Sequence, residues 1–553
     1  MTDVEERAGA GVVEMDVDEA LEMGGPCGIT QTLLQLLFMT ACVTTSFHAV
    51  GSYFTGNDPA WKCTPREGIN GTMATLAKPS LFCEDNNRTM KSGSKDFYER
   101  CNLHRDEWTF VTHSKYSFVT EFDLVCNKAA TAAFTSGSLF IGGLLGCLIS
   151  GIVGDTYGRK SVMISTLGLA LVSSLACSYS ASVWQLTASR VILGGAQMAC
   201  FSVGYTALLE FIPPSQRTLC SMIYSMMFCL SQLFFDVGAY FVRRWRVLQF
   251  WSSFACIVPF LFYFFIPNSP RWLVSSGSYF KAKGVLEKLA KYNGNELPNF
   301  NLKSESDITE KIEEDTTNYT YLHLFKTTKV FIATSVLSFL WITCALLYFA
   351  IALESSSLGG NMYQAFAFTC VADMPSYFVA LIACSYIGRK RTVLGSLGMA
   401  GLFVGTLALV PQTMKYRYAI NITLSMVAKF FTTNAFNGIF LWTFEIYPTC
   451  IRSQGAGYCI AWERFGAFCA PFMISLLQQV NYRLPFVVMS LCAFVSAAIG
   501  LVLPETLDCP TREKYEDFFI DVKKVLESTE ASEKGFDNQG VEKCDIENTT
   551  TSV

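Results

Sequence analysis

The stretch GIVGDTYGRK (residues 151–160) separates two long apolar segments. Its glycines would let neighbouring helices approach closely, and its carboxylate would lie at a helix end beside two cations. A shorter version, GRK at 388–390, separates two apolar segments in the second part of the chain. The repeat predicts two related halves, each with the same cationic turn after its second helix.

Long segments with almost no charge extend on both sides of this stretch. Of 553 residues, 51% are hydrophobic and only 16% are charged, whereas a soluble domain carries about 25% charged residues. About 20 apolar residues form a helix that spans a membrane, and a helix satisfies its own backbone hydrogen bonds in lipid. Twelve membrane helices are predicted, at 30–50, 129–154, 161–180, 186–211, 219–241, 247–267, 329–352, 361–387, 392–411, 417–443, 454–479 and 484–504.

The distribution of lysine and arginine predicts the orientation, because short cytoplasmic loops are enriched in both. One face would collect the cations of four short connections, and we predict that it is cytoplasmic, together with both termini. One connection disagrees, since it places three arginines on the opposite face. The agreeing connections carry Arg159-Lys160, Arg217, Arg389-Lys390-Arg391 and Arg452, and the exception carries Arg243, Arg244 and Arg246.

The same pattern predicts the domain organisation. An acidic N-terminus at 1–29, with a short amphipathic segment, lacks the basic start of a signal peptide. Two six-helix halves follow, joined by a solvated cytoplasmic linker. The halves occupy 30–267 and 329–504, the linker 268–328, and a cytoplasmic polar tail 505–553.

The segment at 51–128, between the first two helices, is predicted to be an extracellular domain. It combines four cysteines with two Asn-X-Thr sequons, and disulfides and N-linked glycans both form outside the cytosol. Four cysteines allow three pairings, which the sequence leaves open. These residues are Cys63, Cys83, Cys101 and Cys126 for the disulfides and Asn70 and Asn87 for the glycans.

Several motifs resemble those of the organic cation, organic anion and carnitine transporters, a family of the major facilitator superfamily. The stretch at 151–160 looks like the superfamily's signature loop, and VTEFDLVC at 119–126 is close to diagnostic of the family. Asn268 stands where the family usually has glutamate. Further matches are DEALE at 18–22, FHA at 47–49 with Pro59 and Cys63, NSPRWL at 268–273, LGGNMY at 358–363, EIYPT at 445–449 and LPET at 503–506.

This resemblance, which covers about 18–507, implies an all-α membrane protein with the major facilitator fold. Twelve transmembrane helices would form two six-helix halves, with a disulfide-linked extracellular loop domain. The implied function is transport of small organic ions across the plasma membrane by alternating access, with a site between the halves. The resemblance also implies cytoplasmic charge pairs that lock one conformation, formed by Asp155, Arg159, Lys160, Glu210, Arg389, Glu445 and Arg452.

Charges within the predicted helices give the clues to the substrate. A charge near mid-bilayer costs about 2.5–3.5 kcal/mol and usually faces a cavity or a partner. Arg190 and Glu210 lie near helix ends. A structural role, in which the side chain extends to the membrane surface, is as well supported for them as a role in the cavity. The charged positions are Arg190, Glu210, Asp236, Asp373, Lys429, Glu463 and Arg464.

Arg464, in the eleventh helix, is the most informative of these residues. The resemblance implies aspartate here in cation carriers and arginine in anion and carnitine carriers. Glu463 precedes it where the family usually has a small residue. Side chains at i and i+1 point about 100° apart, so we expect that the two cannot face one spot. Glu463 would then be a second cavity charge or the partner of another helix, and an interhelical salt bridge stays open for Arg464.

Aromatic side chains are predicted to shape the rest of the substrate site. Trp341 and Tyr348 are seven residues apart, so they share a face of the seventh helix. Aromatic faces attract ammonium groups, although aromatics more often simply fill helix bundles. The predicted substrate contacts are Arg464, Tyr348, Trp341, Phe349, Gln232, Phe235, Asp236, Phe436, Glu463 and Lys429.

Other classes of protein fit the sequence less well. It has no HExxH motif, no Walker loop and no nucleophile elbow, so we predict no enzyme, no metal and no cofactor. The sequence lacks a dominant basic face, so it does not predict nucleic-acid binding. Its two related halves argue against a channel or receptor. The predicted partners are a small organic ion or zwitterion, the lipid bilayer and, through Thr551–Val553, a PDZ scaffold, with a disordered tail as the alternative. A carnitine-like zwitterion ranks first as substrate, an organic anion second and a pure cation third.

Overall fold

The computed structural model describes residues 13–25, 28–64, 83, 89–91, 96–302, 321–354, 361–411, 414–448 and 451–507. The predicted glycan sites at Asn70 and Asn87 and the tail motif at Thr551–Val553 lie outside these residues. Twelve long helices run through the described chain. They are α1 (Ile29–Thr55), α2 (Ala129–Tyr157), α3 (Arg159–Ser178), α4 (Val183–Glu210), α5 (Pro214–Phe241), α6 (Trp245–Phe262), α7 (Thr328–Glu354), α8 (Met362–Tyr386), α9 (Arg389–Leu409), α10 (Arg417–Ile446), α11 (Arg452–Val480) and α12 (Leu484–Gly500).

These helices confirm the predicted all-α membrane fold. Within the described residues, ten helices are both long and apolar enough to cross a membrane. Of the other two, α12 has 17 residues, which is the lower limit for a spanning helix. The second, α10, has 30 residues and carries the buried charge Lys429. Some bounds differ from the prediction: α1 continues to Thr55, and α6 ends at Phe262 although apolar residues follow it.

The bundle has two ends that differ in composition. The segment between α1 and α2 lies at one end, which we call the disulfide end. The turns between α2 and α3 and between α8 and α9 lie at the other, which we call the linker end because the segment between α6 and α7 is there.

The two halves have the same local structure at the linker end. Gly158 and Gly388 precede α3 and α9 with φ angles of 86° and 107°, which residues with a side chain rarely adopt. The next residue in each half, Arg159 or Arg389, donates from Nη1 to the carbonyl oxygen of the preceding helix end, at 2.8 Å and 3.2 Å. The internal repeat that the sequence predicted is therefore present in the backbone.

Glycines let α2 and α4 pack closely. A Cβ atom on Gly142 would collide with the carbonyl oxygen of Val191, and one on Gly194 would collide with that of Leu139. Only glycine permits this approach, as in other membrane helix pairs with small residues at the interface. The contact fixes α2, whose last turn carries the signature loop, against α4.

The disulfide end carries a small folded segment. β2 (Trp61–Cys63) pairs antiparallel with β3 (Trp108–Phe110). Trp61 and Trp108 are buried and pack edge to face, with ring centroids 5.9 Å apart. Disulfides link Cys63 to Cys83 and Cys101 to Cys126, with Cα atoms 5.7 Å and 5.3 Å apart. The predicted disulfide-linked loop domain is therefore present, and the structure selects one of the three pairings.

The linker end carries a clasp between the N-terminal segment and the linker. β1 (Val13–Met15) pairs parallel with β4 (Phe300–Leu302). A short helix, Val17–Met23, follows β1 and carries Asp18. The Asp18 carboxylate accepts from Arg217 at 3.1 Å and also from Arg271 in the linker. The first part of the linker is thus fastened to the first half of the bundle.

The two halves meet at the disulfide end. Phe54, near the end of α1, stacks on Tyr363 at the start of α8, with ring centroids 5.4 Å apart. Phe134 on α2 packs edge-on against Phe472 on α11 at 6.5 Å. The halves are therefore closed against each other at this end.

Candidate functional site

A set of buried polar side chains joins the halves, and we call it the central polar layer. It comprises Gln232 on α5, Tyr348 on α7, Asp373 on α8, and Lys429 and Thr433 on α10. Gln232 Nε2 donates to the Tyr348 hydroxyl at 3.1 Å, and this hydroxyl donates to Asp373 Oδ2 at 3.2 Å. Thr433 Oγ1 donates to Asp373 Oδ1 at 2.6 Å. Because Gln232 belongs to the first half and the others to the second, the layer bridges the halves.

Lys429 is neutralised inside this layer. Its Nζ atom lies 3.9 Å from Asp373 Oδ2 and 2.9 Å from the centre of the Tyr348 ring. It also donates to the Tyr348 carbonyl oxygen at 3.0 Å. The side chains of Lys429 and Asp373 are 2% and 0% exposed, so neither charge has water to replace its partner. Asp373, which the sequence analysis left outside the predicted site, is thus the counter-ion of a predicted substrate contact.

Asp236 is buried without an ion pair. It lies on α5, one turn beyond Gln232 toward the disulfide end, and is 4% exposed. Its Oδ1 atom has no hydrogen-bond partner. No cation within the described residues lies within salt-bridge distance of it. Nearly all buried polar atoms in proteins have a partner, so this atom calls for an explanation.

Arg464 and Glu463 form an ion pair, and our inference that they cannot face one spot was wrong. Arg464 Nη1 lies 3.0 Å from Glu463 Oε1, and both side chains are largely buried. Consecutive Cβ atoms do point apart on a helix, but the long arginine side chain bends back to its neighbour. Arg464 Nε has no hydrogen-bond partner. The pair therefore neutralises Arg464 and leaves one of its donors unused.

The predicted aromatic contacts form two groups. Trp341 donates from Nε1 to Thr443 Oγ1 at 3.0 Å and packs edge-on against Phe436 at 5.4 Å. Phe349 packs at 4.7 Å against Phe140 of the other half. Phe235 lies nearer the disulfide end, where its ring contacts Phe47 at 5.2 Å and Phe54 at 6.0 Å.

The first of two charge clusters, which the sequence predicted as gating residues, lies at the linker end of the first half. Arg159 pairs with Asp155 at 2.7 Å and with Glu210 on α4 at 2.8 Å. The Asp155 side chain is 74% exposed. Lys160, predicted as a member of the charge cluster, instead donates to the Phe264 carbonyl oxygen at 2.7 Å, because its position on α3 faces the end of α6.

The second cluster repeats this arrangement in the other half. Arg389 pairs with Glu445 at 2.9 Å. Arg452 donates from Nε to the Tyr447 carbonyl oxygen at 3.2 Å, so it braces the turn between α10 and α11. Burial raises the pKa of Glu505, but hydrogen bonds from the backbone amides of 506, 390, 389 and 507 outweigh it and hold the pKa below its usual range. Each ion pair lies within a single half: Arg159–Glu210 in the first half and Arg389–Glu445 in the second.

One of the three arginines that violated the orientation rule, Arg246, is paired with a carboxylate of the loop domain. Arg246 donates from Nη2 to Glu121 Oε1 at 2.9 Å and to the Ser180 carbonyl oxygen at 2.7 Å. Burial raises the pKa of Glu121, but hydrogen bonds from Arg246 and Trp245 outweigh this and lower it below its ordinary value of 4.5. Arg246 is thus neutralised by the loop domain, which explains a cation at this end.

Arg190 fits the structural alternative. It donates to the Thr135 carbonyl oxygen at 3.2 Å and to Thr55 Oγ1 at 3.1 Å, and it lies 5.1 Å from the centre of the Phe118 ring. These groups belong to α2, α1 and the loop domain, so Arg190 holds three parts of the first half together.

Two six-helix halves with a repeated charged turn and buried charges between them define a carrier of the major facilitator class. Solved structures agree on the fold. The inward-open xylose transporter of E. coli superposes with a TM-score of 0.60 at 14% identity, covering 86% of this chain and 97% of that one. The sequence comparisons then identify the family within this class.

The chain belongs to the sugar (and other) transporter family of the major facilitator superfamily, in its organic cation and carnitine transporter branch. The family matches residues 69–518. Solute carrier family 22 member 1 of Oryctolagus cuniculus is 30% identical over 413 residues, 74% of this chain and 73% of that protein. Organic cation/carnitine transporter 2 of Homo sapiens is 26% identical over 525 residues, 90% and 92% of the two chains. The protein is therefore a multi-pass membrane transporter of organic ions, as the motifs implied, and its family and fold are not those of an enzyme.

Proposed function

We propose that this protein carries a small organic zwitterion of the carnitine type across the plasma membrane by alternating access. One observation carries the proposal: two buried polar atoms of opposite character, Asp236 Oδ1 and Arg464 Nε, have no hydrogen-bond partner. A substrate ammonium would neutralise the Asp236 carboxylate, and a substrate carboxylate would accept from the guanidinium. A zwitterion supplies both groups in one molecule.

The Arg464 pair would rearrange when such a substrate binds. Guanidinium can hold a carboxylate by two parallel hydrogen bonds, which lysine cannot copy. In the substrate-free structure, the Nη1 atom of Arg464 pairs with Glu463. The substrate carboxylate would take up the free Nε and a second donor, so Glu463 acts as an internal placeholder.

The names of the relatives include this substrate class but do not select it, since others are named organic cation transporters. One relative, at 26% identity, is named an organic cation/carnitine transporter. An organic anion is the second candidate, because Arg464 alone would serve a carboxylate. A pure cation ranks third, because it would leave the unused Nε donor of Arg464 without an acceptor.

Uptake by proteoliposomes tests the proposal with three labelled probes: carnitine, an aromatic carboxylate and tetraethylammonium. We expect saturable carnitine uptake. Arg464→Ala should nearly abolish uptake of both carboxylate probes, and Arg464→Lys should raise their apparent KM. Asp236→Asn should impair carnitine but not the aromatic carboxylate. Normal carboxylate uptake by well-expressed Arg464→Ala would overturn the proposal, and Arg483→Ala, at the disulfide end, is the matched control.

Topology and gating complete the proposed mechanism. Both termini and the linker would be cytoplasmic, and the disulfide end extracellular. The two halves are closed against each other at the disulfide end. With this orientation, the structure would represent a state that releases substrate to the cytoplasm. The Arg159 and Arg389 clusters would close the linker end when the halves rock back, and a two-state equilibrium shifts only by their differential energy between states.

The C-terminal sequence supports a scaffold partner. Thr551–Val553 has the sequence form that PDZ domains read at a C-terminus, by adding the peptide as a strand and holding its carboxylate. Adding one residue after Val553 should abolish recovery of a PDZ scaffold from cell extracts, whereas unchanged recovery would discard the motif.

A further inference from the structure

The surroundings of Asp236 suggest a second ligand for its carboxylate. Asp236 is 4% exposed, and on α1 Phe47, Gly51 and Phe54, which do not titrate, contact Phe235, the residue that precedes it. An ionised carboxylate in such surroundings, out of water and with no counter-charge, is costly. In the substrate-free protein the neutral, protonated form therefore has the lower free energy.

The titratable and charged groups near Asp236 do not supply that counter-charge. On α8, the Tyr363 phenol and the Cys370 thiol lie within electrostatic reach. On α5 itself, Tyr240 follows one turn later, with its ring 5.6 Å from that of Tyr363. Past the end of α5, the Arg243 guanidinium lies 5.5 Å from the centre of the Tyr240 ring. Arg243 forms no salt bridge with Asp236, so a mobile ligand must compensate the carboxylate.

A small cleft at the disulfide end marks where such a ligand would enter. It is lined by Phe54, Tyr116, Arg243 and Tyr363 among others and has a volume of about 10 Å³, room for about one water molecule. The Tyr363 ring borders the cleft and is also close to Asp236. Rotation of this one ring would admit water, which can deliver or remove a proton.

We infer that Asp236 binds a proton in the empty carrier and releases it when the substrate's ammonium group binds, so that the protein exchanges organic substrate for protons. One carboxylate cannot hold both ligands. The neutral carboxyl loses its O–H proton to water, the electron pair stays on the oxygen, and the carboxylate then faces the ammonium. No covalent bond to the substrate forms. One positive charge replaces another, so binding at Asp236 leaves the charge of the buried site unchanged.

This exchange rests on the proposed function, because it assumes that the ammonium end meets Asp236. Proton release on binding tests it, with the purified full-length chain in weakly buffered detergent and a pH-indicator dye. The probes are carnitine and tetraethylammonium, whose quaternary nitrogens have no proton to give. Wild type should release up to one proton per bound carnitine, and Asp236→Asn should release none. Asp106→Asn, which changes an exposed carboxylate of the loop domain, should release protons as wild type does.

Three outcomes distinguish a failure of the proton exchange from a failure of the proposed substrate. Carnitine binding that depends on Asp236 but releases no proton between pH 5.5 and 8.5 would overturn the exchange and leave the substrate proposal standing. Carnitine binding and proton release that are both unchanged in Asp236→Asn would overturn both. In proteoliposomes, an acidic lumen should speed wild-type carnitine uptake several-fold, and Asp236→Asn should lose this stimulation while any residual uptake persists. A lumenal pH that has no effect on wild type would also overturn the exchange.

Discussion

Removing one member of the Lys429–Asp373 pair tests whether Lys429 is structural or contacts the substrate. The two charged atoms are 3.9 Å apart, and at an effective dielectric constant of about 20 Coulomb's law gives about 4 kcal/mol. Breaking a buried pair costs about 3–5 kcal/mol, because the remaining charge stays in the interior. Lys429→Met removes the charge but keeps most of the side-chain length.

We expect Lys429→Met and Asp373→Asn each to destabilise the protein, and the double variant to recover most of the loss. Replacing both members of a buried pair is often neutral. In a chain of this length 1 kcal/mol shifts Tm by at most about 2 °C, so each single change should lower Tm by up to about 10 °C. The assay is the fraction of detergent-solubilised protein that stays monodisperse after heating. Lys415→Met, at the exposed connection between α9 and α10, is the control.

The opposite pattern would refute the structural assignment. If Lys429→Met kept the wild-type Tm but raised the KM for a carboxylate substrate about tenfold, Lys429 would contact the substrate, as the sequence analysis predicted. If the double variant were no more stable than the singles, the two charges would not be energetically coupled.

Further predictions concern both ends of the bundle. Asp155→Asn should slow transport while surface expression stays near wild type, because an exposed partner in the linker-end ion-pair cluster is lost; wild-type turnover would contradict this. The Glu121–Arg246 pair should stabilise the protein above the ordinary carboxyl pKa of 4.5 and lose this contribution as pH falls through the lowered pKa. The Tm difference between wild type and Glu121→Gln should therefore shrink toward zero in acid, and a constant difference would exclude the mechanism. Glycosidase treatment should increase gel mobility, and Asn70→Gln with Asn87→Gln should remove that shift.

The helices could be predicted because they depend on local composition. A run of about 20 uncharged residues has few alternatives in lipid, so every predicted segment contains a helix. The repeated turn at Gly158 and Gly388 was also readable, since the same three residues impose the same positive φ and the same cation after it. The predicted helix ends were less accurate. For example, α1 continues beyond its predicted end to Thr55, because the loop domain covers polar residues that extend the helix.

The site could be predicted only in part, because pairing depends on distant residues. Asp373 and Lys429 lie on different helices, and nothing local specifies that they meet. The pairing of Arg464 with Glu463 was missed for a different reason: helix geometry fixes where Cβ atoms point, not where a long flexible side chain ends. Asp236 was recognised as a buried charge, but its lack of a partner is visible only in three dimensions.

The loop domain is bound to the two halves by different chemistry, and this decides which half it follows. To the first half it is tied by an ion pair, since Glu121 accepts from Arg246 at 2.9 Å. To the second half it is tied by neutral contacts: Tyr98 donates to Gln478 at 3.0 Å, and Asn57 and Tyr116 donate to the Met362 sulfur at 3.3 Å and 3.4 Å. Gln478 in turn donates to Glu354 at 2.6 Å. A neutral hydrogen bond contributes about 0.5–1.5 kcal/mol and one to a charged group about 1.5–3 kcal/mol, so the contact through Tyr98 breaks more easily. The chain also enters α2 directly from the loop domain. When the disulfide end opens, we therefore expect the loop domain to move with the first half and to separate from α7 and α11.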